Sequence, residues 1–113
     1  MDFIKEKHND VLVEIVTLER ATLAEAEQFR SVLTNDIEEG NIYIVVDLLN
    51  CEFIDSTFLG ALVVSLKKTT ALGGDLKLVG FQPAVYSMFE LTRLNRVFEA
   101  FETREDAVDS FRR

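Results

Sequence analysis

Cysteine, histidine, proline and tryptophan are nearly missing from this chain of 113 residues, which has one Cys, one His, one Pro and no Trp. Cys51 has no second cysteine for an internal disulfide. With His8 as the lone imidazole, the ligands for a structural zinc site are lacking. A hydrolase would have only His8 as its base, and Asp55–Ser56–Thr57–Phe58–Leu59–Gly60 lacks the G-x-S-x-G elbow. No apolar run reaches membrane-spanning length. Met1–Asp2–Phe3–Ile4–Lys5–Glu6–Lys7 carries acids where a leader peptide needs an apolar core, so the expectation is a soluble cytoplasmic protein. Basic residues are also scarce. Twelve Lys and Arg against twenty Asp and Glu leave a formal charge of −8, which argues against nucleic-acid backbones and anionic membrane surfaces as partners. Glycine forms no phosphate loop, because Gly73–Gly74 ends a helix and no Lys–Ser/Thr follows. No metal, cofactor or enzymatic activity is expected.

What is present is 48% hydrophobic residues, enough for one domain over residues 1–113. Phe3 to Lys7 and Val11 to Leu18 read as a hairpin about His8–Asn9–Asp10. Thr22 with Glu25 makes a capping box, and Leu23, Ala26, Phe29, Leu33 and Ile37 recur at helical spacing up to Gly40. Ile42 to Leu48 is almost continuously apolar and β-branched, as a strand covered on both faces requires. A helix follows from Thr57, with Leu59, Leu62, Val63 and Leu66 inward and Lys67, Lys68 and Thr70 outward. Leu76–Val79 reads as a strand, and Pro83 opens a helix with Val85, Met88, Phe89 and Thr92 as its inner stripe. Val97–Phe101 is a last strand, and Thr103 with Asp106 caps a last helix. The fold class is α/β with about four helices, order ββαβαβαβα, and a mixed, mostly parallel sheet.

The junction Asp55–Ser56–Thr57 stands where the central strand gives way to an apolar helix, and ligands of such sheets sit beyond the strands' carboxyl ends. Backbone N–H groups are unpaired at a helix start, so a serine there reads first as a plain N-cap, the commoner role at such a junction, with phosphoacceptor as the competing role. Asp55 could orient the serine hydroxyl, help a kinase engage it, or cap the helix. Asp47 invites a phosphorylated-aspartate reading, but the early strands supply no acidic pair for magnesium. Cys51 reads as a packing residue, with no basic cluster to lower its pKa. The acids Glu99, Glu102, Glu105, Asp106 and Asp109 read as a solvated surface.

Asp55–Ser56–Thr57 with Leu59–Gly60, Gly73–Gly74–Asp75, and Pro83–Ala84–Val85 with Phe89, Leu94 and Phe98 resemble the signature of the STAS domain over nearly the whole chain. Single-domain proteins of this kind are bacterial anti-anti-sigma factors. The resemblance implies that Ser56 is the phosphorylated serine, with Thr57 as the fallback. It implies that the unmodified chain binds an anti-sigma factor with a GHKL-type serine kinase fold, freeing a sigma factor, and that a PPM-type phosphatase resets it. Asp55, Ser56, Thr57, Phe58 and Glu19 are the expected partner-binding residues, and the chain is expected to be a monomer.

Two departures accompany the resemblance. Phe58 stands where the family commonly has a small residue, and its ring either enters the seam between helix and sheet or projects beside the serine, altering partner choice. Thr17–Leu18–Glu19–Arg20–Ala21 lacks the glycine and aspartate common in that loop, leaving Glu19 as the substitute. The alternative function is a constitutive scaffold subunit of a stress-sensing or transporter complex whose serine is structural.

Overall fold

The computed structural model describes residues 2–112, so residue 1 of the leader reading and residue 113 of the domain lie outside the described residues. β1 (Phe3–His8) and β2 (Val11–Val16) form the expected hairpin, with Asn9 at φ 58° in its turn. β2 then runs parallel to β4 (Tyr43–Asp47), which is parallel to β6 (Asp75–Val79), itself parallel to β7 (Ala100–Phe101). The order across this five-stranded sheet is β1-β2-β4-β6-β7. One margin is β1, where Ile4, Lys5, Lys7 and His8 are exposed, and the other is a strand of two residues.

Strand alternation divides the core into two layers. Val16, Ile44, Val46, Leu76 and Leu78 face α1 (Leu23–Glu38), α2 (Ser56–Ala71) and α3 (Pro83–Leu91), while Val11, Val13, Ile15, Val45 and Val79 face α4 (Arg104–Ser110). α1 begins with the expected capping box between Thr22 and Glu25 and ends before Gly40, whose φ of 99° suits glycine. α2 starts one residue earlier than expected, at Ser56, and Gly73 at φ 87° follows its end.

The expected order holds with two additions. Arg20–Ala21 (β3) and Phe53–Ile54 (β5) pair in parallel as a separate two-residue ladder, and Leu94–Arg96 forms a 3-10 turn after α3. The last strand, expected over Val97–Phe101, shrinks to Ala100–Phe101, and Val97, which caps the end of that turn, is exposed. Thr92 also departs from the inner stripe of α3. It caps the helix end at the surface, its hydroxyl donating to the Met88 carbonyl at 2.8 Å, while Val85 and Phe89 are buried.

One pair of carboxyl groups sits inside the first layer. Alternation along β2 turns Glu14 toward α1, where it meets Asp36, and both are fully buried. Lys5, opposite Glu14 in the hairpin, donates to Asp36 and lies 3.6 Å from Glu14. Neither oxygen of Glu14 nor Oδ2 of Asp36 finds a hydrogen-bond donor, so two ionised carboxylates would face each other in the interior with Lys5 as their shared cation. Burial, reinforced by Asp36, pushes Glu14 up to about 9, so that it keeps its proton at neutral pH.

The unfolded chain loses this proton near the ordinary value of 4.5, whereas the folded chain holds it to about 9. Folding stability therefore falls as pH rises through that window, by at most about 1.4 kcal/mol per unit from this group. Glu14→Gln, neutral at every pH, should remove most of that slope and be more stable than wild type at pH 8. Urea unfolding at pH 5.5 and 8 checks this, and equal slopes in the two proteins would refute it.

Candidate functional site

The short β3–β5 ladder is what assembles the junction. Arg20 pairs with Phe53 and Ala21 with Ile54, and the Asp55 N–H donates to the Ala21 carbonyl at 3.1 Å. The Arg20 guanidinium lies 4.3 Å from the centre of the Phe53 ring, closing one side of the ladder. Because each strand runs directly into a helix, α1 and α2 start side by side.

Asp55 is the N-cap of α2, and Ser56 is the first helical residue. The carboxylate does two things at once. Its Oδ1 accepts from the Phe58 N–H at 2.9 Å, and its Oδ2 accepts from the Leu23 N–H, in the first turn of α1, at 2.8 Å. One anion thus satisfies unpaired donors of two helices and sits at the positive ends of both dipoles. The cap reading of the junction goes to Asp55. Ser56 and Thr57 are exposed, and among the described residues no hydrogen bond engages the Ser56 hydroxyl. Their backbone N–H groups occupy the first two helical positions, where the helix itself offers no acceptor.

Phe58 requires a correction. Expected among the partner-binding residues, its ring is 0% exposed and stacks on Phe29 of α1, with centroids 4.5 Å apart and planes 12° from parallel. Phe29 in turn meets Phe3 at 5.0 Å. The third position of α2 points into the core, so the ring enters the seam and presents no surface beside the serine. The spacing Phe58, Leu62, Leu66, Thr69, all buried, carried this signal in the sequence.

Glu19 lies exposed at the same end of the sheet, and its backbone carbonyl accepts from the N–H groups of Glu52 at 2.7 Å and Phe53 at 3.1 Å. With Thr17, Leu49, Asn50, Glu52 and Gln82 it lines a shallow hollow of about 450 Å³. A second concavity, about 530 Å³, runs between α1 and α2 and is bordered by Leu23, Thr57, Gly60, Ala61 and Val64. Leu23 is 69% exposed there.

Several other polar groups are structural. Asp47 is buried, accepts from the Leu49 N–H at 2.9 Å and pairs with Arg104, which also reaches Glu6 at 3.2 Å. That bridge anchors α4 to the strand end, and sequence spacing gave no sign of it. Cys51 is buried with its thiol donating to the Phe53 carbonyl at 3.2 Å, and burial raises its pKa, which makes it a poor nucleophile. The five acids Glu99, Glu102, Glu105, Asp106 and Asp109 are all exposed. Lys67 and Lys68 are exposed too, Lys68 donating to the Thr34 hydroxyl at 3.1 Å.

The model of the STAS domain family matches residues 4–107, and the chain belongs to that family. BtrV of Bordetella bronchiseptica, a proposed anti-sigma factor antagonist, is 28% identical over 89 residues, 79% of this chain and 77% of its own. TM1081 of Thermotoga maritima, a proposed anti-sigma factor antagonist of known crystal structure, matches with a TM-score of 0.89 and 27% identity over 98% of this chain and 95% of its own. SpoIIAA of Bacillus in its phosphorylated form shares the fold, with a TM-score of 0.76 and 21% identity over 96% of this chain and 98% of its own. No helix among the described residues is long and apolar enough to cross a membrane.

Truncating the stacked ring tests its place. Phe58→Ala should cost about 3–5 kcal/mol of stability, the range for a buried aromatic, read by chemical denaturation. A loss below about 1 kcal/mol would mean the ring is not part of the core.

Proposed function

We propose that this chain is an anti-sigma factor antagonist switched by phosphorylation at Ser56. The observation that carries the reading is the division of labour at the start of α2, where Asp55 supplies the cap and the Ser56 hydroxyl is left exposed and unengaged. A serine that is not needed to hold the helix is available for chemistry. Transfer of the γ-phosphoryl group of ATP to Ser56 Oγ releases ADP and the hydroxyl proton, and adds about −1.5 to −2 charge beside the free N–H groups of Ser56 and Thr57.

The unmodified chain binds an anti-sigma factor with a GHKL-type kinase fold through Ser56, Thr57 and the exposed Glu19 loop, with Asp55 holding the junction in shape. A partner packed on a neutral hydroxyl would have to desolvate or match a dianion once the serine is modified, and binding is lost. A PPM-type phosphatase restores the binding form. In this scheme the chain is a monomeric cytoplasmic ligand and kinase substrate, not a catalyst. The scaffold alternative drew its support from a bulky side chain beside the serine, and that ring is inside the core.

Immobilised wild type, Ser56→Ala and Ser56→Asp, each exposed to lysate of the source bacterium, should separate the readings. Wild type and S56A should retain a GHKL-fold kinase, S56D should retain at least tenfold less, and ATP should release it from wild type alone while labelling Ser56 by mass spectrometry. Equal retention by all three, or label on Thr57 with Ser56 unmodified, would overturn the assignment.

A further inference from the structure

Two hydrogen bonds accepted by one carboxylate, on the residue just before Ser56, connect the start of α2 to a helix more than thirty residues away in sequence. Asp55 Oδ2 is held by the Leu23 N–H at 2.8 Å while Oδ1 is held by the Phe58 N–H at 2.9 Å, and Ser56 is the residue in the first turn of α2 that directly follows the cap. We infer that Asp55 is a relay: a phosphate on Ser56 weakens the Asp55–Leu23 hydrogen bond and loosens the first turn of α1. The inference rests on the reading of Ser56 as phosphoacceptor for its biological meaning.

The physical steps are local. The phosphate and the Asp55 carboxylate are like charges on neighbouring residues, competing for the same few donors and the same helix dipole. The donors differ in how replaceable Asp55 is. Phe58 belongs to the same helix as Ser56, so its N–H stays within reach of either anion. Leu23 belongs to α1, and among the described residues Asp55 is the acceptor its N–H finds, whereas the next donors of that turn go to Thr22, the Ala24 N–H to its hydroxyl and the Glu25 N–H to its carbonyl. Movement of the carboxylate toward solvent therefore breaks the bond to Leu23 first. The position matters because Leu23 and Thr57 stand on opposite sides of the concavity between α1 and α2, with Leu23 largely exposed. Charge placed at Ser56 is thereby converted into a change of shape on a neighbouring surface, through a side chain that is never itself modified.

The test needs no kinase, which separates it from the proposal above. Phosphoserine introduced at position 56 during translation gives a modified full chain to compare with wild type by NMR solvent exchange of assigned amides. The Leu23 amide should exchange about tenfold faster in the phosphoserine protein, the size of effect expected for a hydrogen bond to a charged group. The Asp106 amide, capped by Thr103 at the start of α4, should not change. In an Asp55→Asn background Leu23 should exchange fast from the outset and gain nothing further from phosphoserine. An unchanged Leu23 rate in the wild-type pair overturns the relay, as does an equal rise at Leu23 and Asp106. The wild-type pair decides the question even if Asp55→Asn does not fold.

Discussion

A single carboxylate serving two helix starts is the constraint on which the functional end of this molecule depends. Helices leave donors unpaired at their N-termini, and two helices beginning side by side would double that cost. Asp55 meets it with one side chain, which requires α1 and α2 to begin at the same height and the chain before each to be fixed. The β3–β5 ladder supplies that fixing, and the Asp55 N–H to Ala21 carbonyl bond ties the carboxylate's own backbone to the strand that feeds α1. Ser56 and Thr57 are held at the surface as a by-product of this geometry.

Beneath the junction the same two helices are joined by rings. Phe3, Phe29 and Phe58 form a continuous aromatic contact from the first strand through α1 to α2, directly under the residues that face solvent. A flat ring in place of a small side chain fills the seam and fixes the rotation of α2 about its axis. Rotation decides which residues of the first turn point outward, so Phe58 acts on the candidate site from inside. The Glu14–Asp36 pair represents the opposite kind of interior feature, polar groups kept in an apolar layer by a retained proton and by Lys5 at the rim.

Much of the fold was legible because the large elements carry their own punctuation. The Thr22–Glu25 box, Pro83 and the glycines at residues 40 and 73 mark helix ends, and the β-branched run before Asp47 reads as an inner strand. What was hidden has physical reasons. Strands of two residues, such as β3 and β5, have no period to detect, and they owe their existence to each other. Asp55, Ser56 and Thr57 are all capping residue types in consecutive positions, so local preference could not say which one caps. The partnership of Asp47 with Arg104 spans more than fifty residues and depends on where α4 packs. Glu14 lies in a strand whose two faces are both buried, so alternation gave no warning that one inward position is an acid.

The margins of the sheet have a further consequence. β1 leaves a full row of backbone donors and acceptors along its outer side, which is the usual starting point for one chain adding its strand to another. Lys5 and Lys7 stand along that row, with Glu6 between them turned to the other face, and the opposite margin is too short to pair with anything of useful length. Strand addition at β1 would have to desolvate Lys5 and Lys7, already engaged by Asp36 and Asn41, and the other margin offers almost no ladder. The molecule is therefore guarded at both ends against growth into a continuous sheet.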